Sequence, residues 1–490
     1  MTAEPLARPG PTAVRITGDY YQWLVAWQGC VTALHDKAKG KVNPVVAVGV
    51  EVDDAGNLDD VVLYRQQAPH TYKQVKYTVD SRSPLDTSYL TGPSKNGGPS
   101  ILRKVADAWV ALTRDGAPVE LALVTNRASS PADQLLAGRD ARTMLLMPAA
   151  AEQTRRSERG RLRATWAQAT NLTEPQLLML LNVLQFDTAR DLRHLEETTS
   201  LLMLVNGLRG DHQAVRSGAD WVAEQARYGH RKIDLEMIET AVRDQELRTG
   251  PARSVLSVAT LKPDPLKTQA VHVLDWVDRF DGDDAFSKRR PRAPFTWQQL
   301  QADVEDIPHH LGAVPQVALT GSLRQATAFL IGATLRMVTN VDLAVTQRGQ
   351  LWESAADYDQ ATHPILAEHS LGIGEDLALA VEVATPMTDD VLVFLRTQQV
   401  PVDRLVVLQP PRGAKDNAIS TPAAAVALTV GLRDQARRSA KGHPRIHLFL
   451  AGPMGLSLLL GHRWNRVAPT TVYEEIRHSV QYEAAFTINA

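Results

Sequence analysis

Asp59-Asp60-Val61-Val62-Leu63-Tyr64, followed after a short gap by Lys73-Gln74-Val75-Lys76-Tyr77, is the part of the chain from which the rest is read. Both runs are strand-like. Asp60 opens an apolar run, and a second runs from Tyr72 to Thr78. Positions i and i+2 of a strand share a face. Gln74 and Lys76 therefore project together while Val75 turns to the core. If the two strands pair as neighbours, Asp60 lies beside the Gln-x-Lys face. A carboxylate, an amide oxygen and an ammonium then converge on one point.

Convergence of those groups is the chemistry of a metal-dependent nuclease. Asp60 and the Val75 carbonyl would ligate a hard divalent cation, Mg²⁺ or Mn²⁺, with Gln74 adding a neutral oxygen. Such an ion keeps waters for substrate phosphate and nucleophile. Lys76 would orient the attacking water or neutralise the pentacovalent phosphate. Glu51, closing the Val-rich run Pro44–Val52, offers a second carboxylate, and Asp59 is the alternative to Asp60 if the register differs by one residue. The neighbouring acids Asp53 and Asp54 flank the Gly56-Asn57 turn and read as a solvated hairpin tip.

The pattern resembles the PD-(D/E)xK, or restriction-endonuclease-like, superfamily in its Asp…Gln-x-Lys variant. The order helix, strand, hairpin strand, Gln-x-Lys strand, helix, strand is similar to that α/β core. A helix-borne Gln after Gly-x-x-Tyr recurs in this group, which implies a supporting role for Gln22. Trp23, Trp27, Val31 and Leu34 recur at helical spacing and predict one core-facing stripe.

Composition sets the limits. The chain has 490 residues, enough for about three domains. It is 44% hydrophobic and 22% charged, with a net charge of −2, so any nucleic-acid surface is local rather than global. One cysteine, Cys30, excludes an internal disulfide and a Cys-based zinc cluster. No apolar run reaches the ~18 residues of a spanning helix, and Met1–Pro11 lacks the basic-then-apolar pattern of a signal peptide. A soluble cytoplasmic protein without membrane partners is expected.

The domains read as a disordered tail at 1–13, a nuclease domain at 14–150, a helical, winged-helix-like connector at 151–253 and a strand–helix domain at 254–490. The loop Asp80–Ser100 carries Arg82 and Lys95. The connector carries an arginine-dense helix, Arg155, Arg156, Arg159, Arg161 and Arg163, which would line a DNA channel if it were more than a solvated face. Beyond Gly250-Pro251 the spacing predicts a strand at 255–261, a helix at 269–280, and strand–loop–helix units around residues 317–337, 405–438 and 446–460. Units of that kind build a parallel sheet with ligands at the carboxyl ends of the strands. His309-His310 has no third ligand at useful spacing and reads as a loop.

Thr320-Gly321-Ser322-Leu323-Arg324, Leu351-Trp352-Glu353-Ser354, Leu448–Pro453 with Leu460-Gly461, and Val472-Tyr473-Glu474 resemble the SAVED domain, two fused CARF-like Rossmannoid halves that sense cyclic oligonucleotides. The resemblance implies ligand contacts at Gly321, Ser322 and Arg324, with Arg412, Lys415, Gly452 and Pro453 beside them. The nuclease, linker and sensor in this order resemble the nuclease–SAVED effectors of CBASS antiphage systems. That implies a double-stranded DNA endonuclease switched on by an adenine-containing cyclic di- or trinucleotide through self-association. Two other readings stand beside it: an effector of a type III CRISPR cyclic-oligoadenylate response, and a non-catalytic nucleotide-sensing regulator.

Overall fold

The computed structural model describes residues 11–80, 82–94, 97–140, 142–146, 154–476 and 482–489. Lys95 and residues 1–10 of the expected tail lie outside them. The chain divides into two compact units, Met1–Ala252 and Arg253–Ala490.

The first unit is built on a six-stranded mixed sheet in the order β5-β4-β3-β2-β1-β6. Its strands are β1 (Val45–Val50), β2 (Val61–Arg65), β3 (His70–Lys76), β4 (Val119–Thr125), β5 (Leu184–Asp187) and β6 (Lys232–Asp234). β1, β2 and β3 form an antiparallel meander. β3 and β4 run parallel, joined through the helix α2 (Ile101–Leu112), because parallel neighbours need a crossover. Ser100 starts that helix by accepting from the Arg103 amide at 3.1 Å.

The helix α1 (Pro11–Ala38) buries Leu24, Val25 and Trp27 fully; Gly29 lies against Leu63 and Val48 of the sheet, while Trp27 packs on the other side against Trp221 and Met203. It begins inside the segment expected to be a disordered tail. Proline is tolerated in a first helical turn, where its missing N–H has no partner to lose. A separate apolar cluster containing Val62, Tyr72, Leu121, Leu123, Trp109 and Trp166 includes residues of β2, β3, β4 and α2.

The connector expected at 151–253 does not stand apart. Its two short strands supply both edges of this sheet, β5 parallel to β4 and β6 antiparallel to β1. Runs of three and four residues carry too little alternation to be separated from helical sequence. The helical character expected of it is present in α5 (Leu192–Val205) and α6 (His212–Arg227), which both pack on α1. The arginine-dense helix, α3 (Glu158–Thr170), is not a free basic face. Arg163 is 3% exposed and reaches Glu174 at 3.1 Å, at the start of α4 (Glu174–Leu181). Arg155 reaches the other oxygen of Glu174 at 2.8 Å. Arg159 donates to the Gln134 carbonyl at 3.1 Å.

The second unit holds two sheets. One has the order β11-β10-β9-β7-β8, from β7 (Ser254–Ala259), β8 (Ala270–Asp275), β9 (Gln316–Thr320), β10 (Asp342–Gln347) and β11 (Gln350–Glu353). The other has the order β12-β14-β13-β15-β16-β17, from β12 (Ile365–Ser370), β13 (Asp376–Glu382), β14 (Val402–Gln409), β15 (Ile446–Ala451), β16 (Thr470–Glu475) and β17 (Tyr482–Ile488). The helix predicted over 269–280 is instead β8 and a short 3-10 turn. Val271 and Val273 alternate with His272 and Leu274, a period of two with β-branched residues, and that pattern prevails. The expected loop at His309-His310 is a short helix, Ile307–Leu311, with His310 stacked on His272.

One continuous core joins the two sheets. At its centre α7 (Gln325–Thr334), which follows β9, packs on the Met454–His462 helix, which follows β15. A Cβ on Gly332 would stand 2.1 Å from the Leu458 carbonyl, so only glycine lets the backbones approach this closely. The starts of both helices meet beyond the carboxyl ends of β9 and β15, where Gln325 Oε1 accepts from the Gly452 amide at 3.0 Å.

Candidate functional site

In the first unit, Val61 pairs with Lys73, which sets Asp60 opposite Gln74. Val50 pairs with Val61, which sets Glu51 opposite Asp60 from the other side. The three predicted residues thus form a row across three neighbouring strands. Asp60 Oδ2 accepts from the Val75 amide at 2.7 Å and from Gln74 Nε2. Lys76 Nζ lies 3.4 Å from that oxygen and donates to the Val75 carbonyl at 3.1 Å. Gln74 and Val75 are 4% and 7% exposed, so the constellation is held rigidly. In this state Gln74 presents its amide nitrogen to Asp60; a half-turn of the amide would present the oxygen expected as a ligand.

It is Asp60, not Asp59, that meets Gln74 and Lys76. Burial raises the Asp59 carboxyl, with the Asp60 charge adding to the effect. Glu51 has φ +49, a left-handed conformation uncommon outside glycine. Its side chain accepts from Gln22 Nε2 at 3.4 Å, and the same nitrogen is 3.5 Å from the Asp60 carbonyl. The supporting role expected for Gln22 therefore has a geometry.

Among the described residues no group of three or more His, Cys, Asp and Glu is gathered to hold a metal. A hard cation needs fewer carboxylates than that, because waters and phosphate complete its shell. The Lys76 ammonium bridges Asp60 Oδ2 and the Val75 carbonyl, two of the oxygens such an ion would share. With Glu51 beside them, these groups fit Mg²⁺ or Mn²⁺.

In the second unit, the predicted ligand residues all follow carboxyl ends of parallel strands. Gly321 has φ +106, and a Cβ there would stand 2.0 Å from the Val258 carbonyl, so the turn after β9 demands glycine. The Ser322 carbonyl accepts from Thr260 and Leu261 at 3.0 and 3.1 Å. Arg412 and Lys415 are exposed, and the Lys415 amide ties their loop to the Val383 carbonyl at 2.9 Å. Val383 in turn donates to the Ala451 carbonyl at 2.8 Å, next to Gly452.

Arg324 is already engaged. Its Nε donates to the Lys288 carbonyl at 3.0 Å and stands 4.0 Å from Glu474 Oε1. Only 16% of its side chain is exposed. The residue beside it, Gln325, was not singled out from sequence. Its Oε1 accepts from the Gly452 amide at 3.0 Å and Ser457 Oγ at 3.3 Å. Gln347 Oε1 accepts from the Gly455 amide at 3.1 Å. Glu474 Oε2 accepts from the Ala326 amide at 3.0 Å. The two halves thus cap each other's helices, and no local pattern in sequence marks such partners.

Residues 299–488 match the family model of SAVED, the SMODS-associated and fused to various effectors sensor domain. The second unit carries that domain, and β7, outside the match, pairs with β9 within it. No curated protein matches the chain. Among solved structures, the Acinetobacter baumannii Cap4 SAVED/CARF-domain containing receptor with the cyclic trinucleotide 3'3'3'-cAAA is similar at 13% identity and a TM-score of 0.41. That likeness covers 99% of this chain and 100% of that one. The same receptor with 2'3'3'-cAAA gives 14% and 0.40, over 99% and 100% of the two chains. The Moraxella osloensis Cap4 receptor gives 13% and 0.39, over 96% and 99%. Among the described residues no helix is long and apolar enough to cross a membrane.

Proposed function

We propose that the chain is a metal-dependent double-stranded DNA endonuclease, restriction-endonuclease-like in its first unit and switched on by a cyclic oligonucleotide in its second. Its setting would be a cytoplasmic, CBASS-type antiphage response. The observation that carries the nuclease reading is the meeting of Gln74, the Val75 amide and Lys76 on one oxygen of Asp60. The sensor reading is supported by the SAVED match over residues 299–488.

Asp60, Glu51 and the Val75 carbonyl would hold Mg²⁺ or Mn²⁺, which supplies Lewis acidity and water of lowered pKa. The chain's own groups do the rest. The Val75 amide and Gln74 fix the Asp60 carboxylate, so that no reorganisation is needed when substrate arrives. Gln22 steadies Glu51. Lys76 brings a positive charge to the phosphate as negative charge accumulates there, in a partly buried setting where that charge is weakly screened. The loops beyond the carboxyl ends of β9, β14 and β15 would take the cyclic nucleotide, with exposed Arg412 and Lys415 to meet phosphates.

The test is plasmid cleavage by the purified chain. Supercoiled DNA is incubated with Mg²⁺, with or without a panel of cyclic di- and trinucleotides that includes 3'3'3'-cAAA. Linear product that depends on both metal and one cyclic nucleotide is expected. Intact plasmid under every combination, with the protein folded, would remove the nuclease assignment.

A further inference from the structure

Among the described residues of the second unit no large apolar side chain is more exposed than Phe286, at 87%. Its loop holds it out. Asp284 Oδ1 accepts from the Phe286 and Ser287 amides at 2.7 and 3.0 Å. Lys288, 7% exposed, donates from Nζ to the Val277 and Gly282 carbonyls at 2.6 and 3.1 Å. A ring fixed in this way forgoes the ~150–250 Å² that an aromatic side chain can bury, and a partner that covers it has little ordering entropy to offset. The loop lies at the carboxyl ends of the parallel strands. It follows β8, which runs parallel to β7 and through it to β9, and its Lys288 carbonyl accepts from Arg324 Nε at 3.0 Å, at the start of α7.

The opposite end of the same unit carries a cavity of about 330 Å³. Pro308, Leu330, Ala333 and Ile488 give it apolar walls, with Glu305 and Arg336 beside them. Leu330 and Ala333 belong to the end of α7, and Ile488 pairs with Thr470, the first residue of β16, so the cavity lies at the amino ends of the parallel strands. A cavity of about 150 Å³ already holds a benzene ring, so a phenyl side chain fits. Met337 and Val338, 54% and 70% exposed, continue the apolar surface beyond Arg336. Charge agrees with shape. Asp283 and Asp284 shortly precede Phe286, and both are exposed. Arg336 donates to two neutral carbonyls, those of Ala333 and Asn489, at 2.9 and 2.7 Å, and Glu305 accepts from Gln301 at 2.8 Å.

We propose that Phe286 is a docking knob and that this cavity is its socket on a second copy of the chain. Knob and socket lie at opposite ends of one unit, so a copy cannot fill its own socket. The contact is therefore heterologous, each copy offering one knob and one socket. A single ring buries far less than the ~1,200–2,000 Å² of a stable interface, so the contact alone gives a weak association that depends on concentration. It rests on these two surfaces and on neither the nuclease nor the sensor reading.

Sedimentation velocity of the full chain over a series of rising protein concentrations, with and without 3'3'3'-cAAA, reads the association. Wild type should move above the monomer value at high concentration. Phe286→Ala should weaken association by about thirtyfold or more and leave the thermal melt unchanged, because the ring is exposed. Thr334→Trp fills the socket and should weaken association as much. Arg336→Glu reverses the charge at its rim and reports on the socket where the tryptophan variant does not fold. Phe286→Ala keeps a sound socket and the socket variant keeps a sound knob. An equimolar mixture of the two should therefore form a dimer and stop there, although neither associates alone. A wild type that stays monomeric at every concentration, with and without the nucleotide, would overturn the proposal. So would variants of knob or socket that associate like wild type. A mixture that stays monomeric would mean that the ring docks on its like or elsewhere, which overturns it too. Absent plasmid cleavage or absent nucleotide binding would instead remove the function proposed above and leave this contact standing.

Discussion

Lys76 Nζ lies 3.4 Å from Asp60 Oδ2, although the residues stand 16 positions apart and come from different strands. The register of β2 on β3 creates that contact, and it separates catalytic effects from folding effects. Asp60→Asn keeps an oxygen for the Val75 amide and removes the charge. Stability should change by about 1 kcal/mol or less, while cleavage falls by at least about a hundredfold. Asp60→Ala should lose cleavage too and also destabilise by about 1–3 kcal/mol, because the Val75 N–H is left without its acceptor. Plasmid linearisation rates and urea unfolding together check this; full cleavage by Asp60→Asn would end the assignment.

Lys76→Met retains the aliphatic stem and removes the ammonium. Cleavage should fall by about a hundredfold to a thousandfold, from the loss of charge at the developing phosphate. Lys76→Arg should recover part of the rate. Binding of cyclic nucleotide should be unchanged in both, since the SAVED match lies in the other unit. Single-turnover cleavage and calorimetry separate the two effects. Equal loss in Lys76→Met and Lys76→Arg would mean that shape, not charge, is what Lys76 provides.

Glu51 combines a candidate metal carboxylate with a left-handed backbone, φ +49. Two variants divide those properties. Glu51→Gln should raise the Mg²⁺ concentration for half-maximal cleavage by about tenfold or more. Glu51→Gly should show the same metal defect, yet gain about 1 kcal/mol of stability as the backbone strain is relieved. Gln22→Ala should shift the metal requirement in the same direction by less. Metal titrations of cleavage and metal-free melts read these effects, and a chelator should silence the wild type.

The cluster of Asp60, Gln74 and Lys76 was legible because it is local. Asp60 and Gln74 are 14 residues apart in one hairpin, and strand periodicity alone places them on one face. The sheet's edges were not, because β5 and β6 are four and three residues long. β8 was read as a helix because its apolar residues fit both periods over so short a run. Gln325 and Gly452 are 127 residues apart, and Ala326 and Glu474 are 148 apart. Contacts of that range leave no spacing in sequence, so the mutual capping of the sensor's halves came only from the fold. Arg324 is expected as a ligand contact from the SAVED resemblance; its engagement with Lys288 and Glu474 is tertiary and equally unmarked.

Glu474 makes the stability of the sensor depend on pH. Burial pushes its carboxyl up to about 7, with Arg324 and the Ala326 amide opposing. In an unfolded chain the value is about 4.3. The folded value is the higher, so the stabilising contribution is complete below about pH 4.3 and is lost as pH rises through 7. His462 works in the other direction: burial lowers it to about 4, so its contribution is present above about pH 6.5 and lost as pH falls through 4. Glu474→Gln keeps an oxygen for Ala326 and removes the titration. It should flatten the decline between about pH 5 and 7 and stabilise the chain at pH 8 by on the order of 2 kcal/mol. Urea unfolding at a series of pH values checks this; parallel curves for wild type and variant would show that Glu474 titrates as an ordinary carboxylate.

A nuclease centre built on one Asp60 and one Lys76 would cut one strand of a duplex. A double-strand break therefore needs two such centres close together, or two successive visits. A nuclease that must stay silent among abundant chromosomal DNA can exploit that requirement. If cyclic nucleotide makes sensor units associate, the nuclease units attached to them are brought to high effective concentration without any new catalytic group. The net charge of −2 leaves copies of the chain without strong mutual repulsion. The chain is therefore expected to sediment as a monomer alone and as a larger species with its activating nucleotide. Linear product should rise more steeply than in proportion to protein concentration. Mixing wild type with Asp60→Asn should suppress linearisation more than nicking, since a mixed pair can still cut one strand. A sedimentation coefficient that stays at the monomer value while plasmid is linearised at full rate would place the switch inside a single chain.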